Sequence, residues 1–329
     1  MILSTSSSDG YSRQSQNQHW LTWLLCLSAM IAMVFLVERG LGQFFHTPTP
    51  QGVEASRLDD QTEVVFLGTS RTQVNVDPLL FPRKTVNVSE AGMSYSIMDP
   101  LLAAILRRVQ NIKLLVLEFT AESFAYSYDE IPHRFEKKFA PFGLAPVSGI
   151  TRGAKNTEMF VGRWFPNIFS FRLSPRQIIA DAPLFNPPKY YSSGHNPLDR
   201  NLNTDQAMNS LKVFIAHVEG MRKTKGIQAN LKAFLGILEQ ARQRGIHVIL
   251  LRHPTHQLHA DETPKEWEEI LVQAGDLAKS VAGIEVEQIL DLSRHFRGQE
   301  QFFADLDHLN AVGAQAYTKD LTQILDMAK

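Results

Sequence analysis

Short apolar runs alternate with amphipathic stretches along most of the chain. The apolar runs are continuous in Val, Leu and Ile, which is typical of strands buried on both faces of a parallel sheet. The predicted strands cover residues 63–67, 84–88, 113–119, 246–252 and 285–290. Helical periodicity covers residues 98–110, 227–244 and 311–327. This alternation predicts an α/β fold, with three α/β/α layers around a mostly parallel five-stranded sheet.

One apolar run near the N-terminus is too long for a strand. The stretch "WLTWLLCLSAMIAMVFLV", residues 20–37, contains no charged residue. As a helix it would be about 27 Å long, close to the roughly 30 Å hydrocarbon core of a bilayer. A cleaved signal peptide is the alternative, but its apolar region usually ends at a small-residue cleavage site. Because Glu38 and Arg39 follow directly, we favour an uncleaved transmembrane anchor.

The anchor divides the chain into regions. Residues 1–19 form a polar tail, and residues 38–60 contain "HTPTPQG" and few apolar positions, which indicates a tether. The domain proper covers residues 61–329. Within it, residues 120–225 separate two strands and are rich in aromatic residues, Pro and Arg. We interpret this stretch as an insertion over the C-terminal edge of the sheet, where ligand sites of α/β proteins lie.

Composition narrows the classes of function. The net charge is −1 and the isoelectric point is about 6.8, so the basic footprint of nucleic-acid binding is missing. The single cysteine, Cys26, excludes an internal disulfide and cysteine-based metal clusters. It lies in the apolar run without a convincing lipobox, so we interpret it as a membrane residue. No feature of the sequence predicts a cofactor.

Candidate chemistry lies at two distant points of the domain. The first predicted strand stops at Gly68, Thr69 and Ser70, and "FFADLDHLNAVGAQAY" near the C-terminus contains Asp305-x-x-His308. A hydrolytic triad needs a nucleophile, a base and a carboxylate that orients the base. Asp and His three residues apart on a turn can lie side by side. We therefore predict Ser70, His308 and Asp305 in these three roles, if the C-terminal turn folds back beside Ser70.

These motifs resemble the SGNH (GDSL-like) hydrolase family, which has an α/β/α, flavodoxin-like fold. The matching features are the G-x-S turn at Ser70, a glycine after the second strand (Gly92, in "NVSEAGMSY") and the D-x-x-H pair. The wording "DHLNAVGA" and the anchor are most similar to the membrane-anchored polysaccharide O-acetyltransferase branch, with the alginate O-acetylation proteins and the teichoic acid D-alanyl transfer protein. The resemblance covers about residues 62–119 and 245–329, not the insertion.

The resemblance implies a function and its setting. It implies a serine O-acyltransferase that transfers an acetyl group through an acyl-enzyme, with a glycan of the envelope or an exopolysaccharide as acceptor. The backbone N–H groups of Ser70 and Gly92 would stabilise the oxyanion. A multi-pass membrane partner would supply the acyl group. The chain would be a single-pass inner (cytoplasmic) membrane protein, with its C-terminal domain in the periplasm or outside the cell.

One family feature is missing. The family places an oxyanion-binding Asn after the third strand, but this chain has Thr120, Ala121 and Glu122 there, in "LEFTAESF". Losing one oxyanion donor typically costs about 10²–10³ in rate. The anchored branch also tends to lack this Asn. Two alternatives therefore stay open beside the transferase: an anchored esterase or deacetylase, and a catalytically silent scaffold or glycan-binding subunit.

Each site residue also has a structural interpretation. Ser70 could cap a helix, Asp305 and His308 could form a surface turn, and Gly92 could mark a turn with positive φ. Asp307 is expected to be a neighbour of the triad rather than its orienting carboxylate.

Other polar residues near the motifs also need an interpretation. Arg71 could bind an anionic sugar, but we favour a solvated side chain. The histidines of "HPTHQLH", His253, His256 and His259, could bind a metal, but Pro254 disfavours a regular helix. We expect them in a loop at the rim of the site. The alternative hydroxyls are Ser89, Ser94 and Ser96.

Overall fold

The computed structural model describes residues 9–45, 50–125, 142, 195, 197–222, 226–282 and 289–327. The chain divides into two compact units. Among the described residues, the first unit contributes the N-terminal helix, and the second contains the sheet and the predicted site residues. Most of the predicted insertion, and its expected position over the sheet, falls outside the described residues.

Helix α1 runs from Asp9 to Phe45. It contains a stretch, Thr22–Gly40, that is long and apolar enough to cross a membrane, with a mean hydropathy of 1.7. The apolar side chains of this stretch are largely exposed. The helix extends beyond the predicted span at both ends. Its length and composition suit a membrane anchor or a signal sequence.

The sheet has five strands, all parallel, in the order β2-β1-β3-β4-β5. Their bounds are β1 Val64–Leu67, β2 Thr85–Asn87, β3 Leu114–Glu118, β4 His247–Arg252 and β5 Ile289–Asp291. Each predicted strand overlaps an observed one, which confirms the α/β class with a five-stranded parallel sheet. Strand β5 overlaps its prediction at residues 289–290, and residues 285–288 of that prediction lie outside the described residues. The chain order reverses between β1 and β3, where ligands of such sheets bind.

The helices of the second unit alternate with these strands. Their bounds are α2 Pro50–Arg57, α3 Ser70–Asn75, α4 Tyr95–Arg108, α5 Ala121–Ala125, α6 Thr204–Arg222, α7 Gly226–Gln243, α8 Gln257–Glu262, α9 Lys265–Ala282 and α10 Ala311–Met327. The three helices predicted from periodicity correspond to α4, α7 and α10. Helices α5 and α6 lie inside the predicted insertion. Helix α2 lies in the predicted tether and packs against β2, so this part of the tether is folded.

The two faces of the sheet bury different side chains. Val65, Leu67 and Leu115 pack in one cluster with α4, α7 and α9, whereas Val64 and Phe66 pack in another with α10. Successive side chains of a strand point to opposite faces. The strands therefore need apolar residues at every position, which explains the continuous runs in the sequence.

Candidate active site

The turn after β1 carries the candidate nucleophile. Thr69 is the N-cap of α3, in extended conformation, and Ser70 is the first residue of the helix. The interpretation of Ser70 as a helix cap is therefore wrong, because its side chain lies one position inside the helix. Gly68 is required by close packing, since a Cβ there would collide with the side chains of Thr72 and Glu118.

A buried carboxylate accepts several hydrogen bonds from this turn. Glu118, the last residue of β3, is 1% exposed. It accepts hydrogen bonds from the Thr69 N–H at 2.6 Å, the Thr69 hydroxyl at 2.7 Å and the Thr72 hydroxyl at 2.6 Å. These three short hydrogen bonds fix the turn, and with it the position of Ser70. We did not predict this role, although an acidic residue that ends a wholly apolar strand was the available signal.

The structure brings Ser70, His308 and Asp305 into one hydrogen-bonded chain. The Ser70 Oγ lies 2.7 Å from His308 Nε2, and His308 Nδ1 lies 2.9 Å from Asp305 Oδ1. All three side chains are partly exposed. Asp305 Oδ1 also accepts the backbone N–H groups of Asp307 and His308 at 2.9 and 2.8 Å. Asp305 thus caps the turn and orients the imidazole at the same time.

The charges around His308 favour a basic imidazole. Burial alone lowers the pKa of His308, but the hydrogen bond to Asp305 and the negative charges of Asp307 and Asp305 outweigh it and raise the pKa. Burial raises the pKa of Asp305, yet its bond to His308 leaves that pKa below its ordinary value. Asp305 therefore stays ionised and can stabilise an imidazolium.

Arg71 is buried, so the expectation of a solvated side chain is wrong. It is 6% exposed, and its guanidinium donates to Asp307 Oδ1 and to Glu122 Oε1, both at 2.6 Å. Despite the burial of Asp307, the positive charge of Arg71 holds the pKa of Asp307 well below its ordinary value. Asp307 Oδ2 lies 3.9 Å from His308 Nε2. As predicted, Asp307 is a neighbour of the triad and not its orienting carboxylate.

Three possible metal ligands surround the same guanidinium. Ligand atoms of Glu122, His259 and Asp307 lie within 4.8 Å of one another. Arg71 contacts all three, with 3.2 Å between its terminal nitrogen and His259 Nε2. The Arg71 guanidinium already supplies the positive charge that a metal ion would bring to these three groups. The arrangement is that of a buried ion-pair cluster which joins α3, α5, α8 and the C-terminal turn.

The three histidines of the 253–259 segment do not converge. His253 binds the Thr72 and Tyr317 hydroxyls, and His256 caps α8 with its own side chain. All three are buried. His253 and His256 lie in a loop as expected, whereas His259 lies in α8. His253 and His259 line the larger cavity, and His259 also contacts Arg71. Burial and the charge of Arg71 lower the pKa of His253 to about 3.

The candidate oxyanion donors lie on the turn of Ser70 and on the loop after β2. Gly92 has a φ of 71°, which agrees with a turn that requires glycine. Gln73 of α3 holds this loop, because it accepts from the Ala91 N–H at 3.1 Å and donates to Glu90 at 3.2 Å. In the segment 120–122, where the resemblance led us to look for an Asn, Glu122 is paired with Arg71 and the Thr120 hydroxyl contacts Ser123.

Two cavities lie near these residues. The larger, of about 680 Å³, covers the ends of β3, β4 and β5, and its lining includes Arg71, Glu122, Arg252 and Trp267. The smaller, of about 270 Å³, lies between α6 and the turn of residues 304–308. Asp305, Asp307 and His308 line this smaller cavity. Of the alternative hydroxyls, Ser94 and Ser96 contact each other at 2.8 Å, and Ser89 is buried.

Neither a scan against protein-family models nor a search of curated proteins finds a match to this chain.

Proposed function

We propose that this chain is a membrane-anchored serine O-acyltransferase of the SGNH type, which transfers an acyl group, in the simplest case acetyl, to a glycan of the envelope or to an exopolysaccharide. The observation that carries the proposal is the hydrogen-bonded chain from Asp305 through His308 to Ser70. It ends at a serine where the chain order of a parallel sheet reverses, which is where such sheets bind ligands.

The reaction runs in two halves. His308 Nε2 takes the proton of Ser70 Oγ while the oxygen attacks the carbonyl carbon of the acyl donor, and the leaving group departs with that proton. A hydroxyl of the acceptor then gives its proton to His308 and attacks the acyl-serine. Ser70 leaves and regains the proton. The backbone N–H groups of Ser70 and Gly92 stabilise the oxyanion in both halves.

The fold and the N-terminal helix support the setting of this reaction. The two apolar clusters on opposite faces of the sheet support a three-layer α/β/α domain of the SGNH type. The apolar stretch of α1 supports a single-pass anchor in the inner membrane, with the catalytic domain in the periplasm or outside the cell. A multi-pass membrane protein would present the acyl donor to the anchored domain.

An anchored esterase or deacetylase is the second candidate. The partial exposure of Ser70 and His308 favours it, because water can then reach the acyl-serine. The two enzymes share the first half-reaction and differ in the acceptor of the second.

Intact-mass spectrometry tests the nucleophile. The full-length chain in detergent is exposed to 4-nitrophenyl acetate, beside Ser70→Ala and the control Ser96→Ala, which removes a nearby hydroxyl. We expect one acetyl adduct in the parent and the control, mapped to Ser70, and none in Ser70→Ala. No adduct and no ester turnover in a folded parent chain would exclude both enzymes and favour the scaffold.

A further inference from the structure

One wall of the smaller cavity comes from a segment that lies outside the Ser70 and D-x-x-H motifs. Its outer wall is α6 with the residues just before it. Leu198 forms a parallel bridge with Asn310 and accepts the N–H of Ala311 at 3.0 Å. Arg200 donates to Asp305 Oδ2 at 2.6 Å. The wall is therefore attached to the turn that carries His308 and Asp305.

The inner side of α6 is fixed by apolar contacts. Ala207 and Leu211 are buried and pack in one cluster with Leu306, which lies between the two triad residues of the C-terminal turn. Asp305 and His308 line this cavity, whereas the larger cavity has no member of the triad among its described lining residues. Ser70 is in the described lining of neither cavity.

The wall presents neutral polar groups. Asn201, Asn203, Gln206 and Ser210 line the cavity together with Phe214. Amides and hydroxyls both donate and accept hydrogen bonds, as the hydroxyls of a sugar do. The aromatic ring offers an apolar surface to the C–H face of a sugar ring. These are the groups that an uncharged polyhydroxyl ligand needs.

The charged groups at this cavity are paired within the protein. Arg200 is bound to Asp305, and Asp307 is bound to Arg71. A ligand carboxylate would meet two carboxylates there and would have to compete for Arg200. The electrostatics therefore favour a neutral ring over a uronate.

We propose that the cavity between α6 and residues 304–308 is the acceptor subsite, and that it binds one uncharged sugar ring with a hydroxyl directed at His308. The inference rests on the proposed function and adds the acceptor class and its binding residues. A general base must lie about 2.6–3.2 Å from the oxygen that it deprotonates, and His308 lines this cavity. A volume of about 270 Å³ is just below the roughly 300–1,000 Å³ of drug-sized pockets, which suits one ring.

The test follows the second half-reaction. The full-length chain is acetylated with 4-nitrophenyl acetate, and loss of the adduct is followed with methyl glucopyranoside or methyl glucopyranosiduronate. The variants are the double change Asn201→Ala with Gln206→Ala, and the control Asn209→Ala, which removes an exposed amide of α6 that is not among the described lining residues of the cavity. The neutral glycoside should accelerate loss of the adduct at least tenfold more than the uronate and should become acetylated. The double variant should lose about tenfold of this acceleration, whereas Asn209→Ala should keep both the acceleration and the basal hydrolysis.

The subsite would be overturned if the neutral glycoside accelerated loss of the adduct equally in the double variant and in the parent chain. It would also be overturned if the uronate accelerated this loss as strongly as the neutral glycoside. Failure to acetylate Ser70 would instead overturn the proposed function. Saturation-transfer NMR on the Ser70→Ala chain tests the subsite without acylation. Saturation should be transferred from the Ser70→Ala chain to the neutral glycoside, and this transfer should weaken when Asn201→Ala and Gln206→Ala are added. No transfer in Ser70→Ala itself would overturn the subsite.

Discussion

Helix α3 presents two hydroxyl groups to two histidines, Ser70 to His308 and Thr72 to His253. The oxygen-to-Nε2 distances are nearly the same, 2.7 and 2.8 Å. The Nδ1 partners differ. For His308 the partner is the carboxylate of Asp305 at 2.9 Å, and for His253 it is the hydroxyl of Tyr317 at 3.1 Å.

The partners impose opposite proton positions. Asp305 can only accept, so His308 carries its proton on Nδ1 and turns the lone pair of Nε2 toward Ser70. The Thr72 hydroxyl donates to Glu118, so His253 donates from Nε2 to Thr72 and accepts from Tyr317 at Nδ1. The first imidazole can remove a proton from its hydroxyl, and the second cannot.

Burial adds to this difference. His308 is partly exposed, whereas His253 is buried. The pKa of His308 is raised and that of His253 falls to about 3. A short contact between a hydroxyl and an imidazole thus does not define a nucleophile. The carboxylate behind the imidazole and the access of substrate do.

The largest effect is expected when His308 and His253 are each replaced by glutamine. His308→Gln should lower ester turnover about 10⁴-fold or more, because the base is lost. His253→Gln should lower turnover less than tenfold but destabilise the fold by about 1–3 kcal/mol, since buried partners lose their hydrogen bonds. Turnover and denaturant unfolding of both variants measure this. Similar losses of turnover in the two variants would remove the distinction between the two pairs.

Asp305→Asn should remove the carboxylate that accepts the hydrogen bond from His308 Nδ1. We expect a fall of about 10⁴-fold in turnover, because the imidazole then takes the wrong tautomer. The raised pKa of His308 should also fall, so the acidic limb of the pH–rate profile should move to lower pH. Asp320→Asn is the control, since it removes the carboxylate 2.9 Å from His295 at the surface. An unmoved acidic limb in Asp305→Asn would contradict the assigned role.

Acid should destabilise the fold because it favours the unfolded chain, in which His253 can take up a proton. His253 has a pKa of about 3 in the folded protein and about 6.5 when unfolded. The unfolded chain therefore binds the additional proton, and this stabilising contribution is complete above about pH 6.5 and lost as pH falls toward 3. The slope due to this group is at most about 1.4 kcal/mol per pH unit. Unfolding of the parent and His253→Gln between pH 7 and 4 should show a shallower loss in the variant; equal slopes would refute the neutral buried imidazole.

Tyr317→Phe should give the smallest effect. It removes the hydroxyl that donates to His253 Nδ1 and leaves the ring in place. We expect a loss of stability of about 0.5–1.5 kcal/mol and an unchanged pH–rate profile. Thermal unfolding beside ester turnover measures both. A shift of the profile would mean that the two histidines are coupled.

The buried cluster around Arg71 shows where the sequence was insufficient. Its partners Glu122, His259 and Asp307 lie 51, 188 and 236 positions away in the chain. No local pattern marks such a set, so a basic residue after a turn was expected in solvent. The role of Glu118 was missed for a similar reason, because its partners belong to another strand end. Helix α6 was hidden in a stretch whose composition indicated only an insertion.

The sequence by itself determined the features that depend on neighbouring residues. Continuous apolar runs predicted four strands closely and part of the fifth, because a strand buried on both faces needs an apolar residue at every position. The apolar stretch of α1 was evident from its length, and Asp305 can orient His308 because three positions on a turn place them side by side. Only the tertiary structure decided what depends on distant elements: the contact between Ser70 and His308 across 238 positions, the burial of Arg71 and the wall formed by α6. Burial and hydrogen-bond partners are set by the elements that pack together, and no single stretch of sequence carries that information.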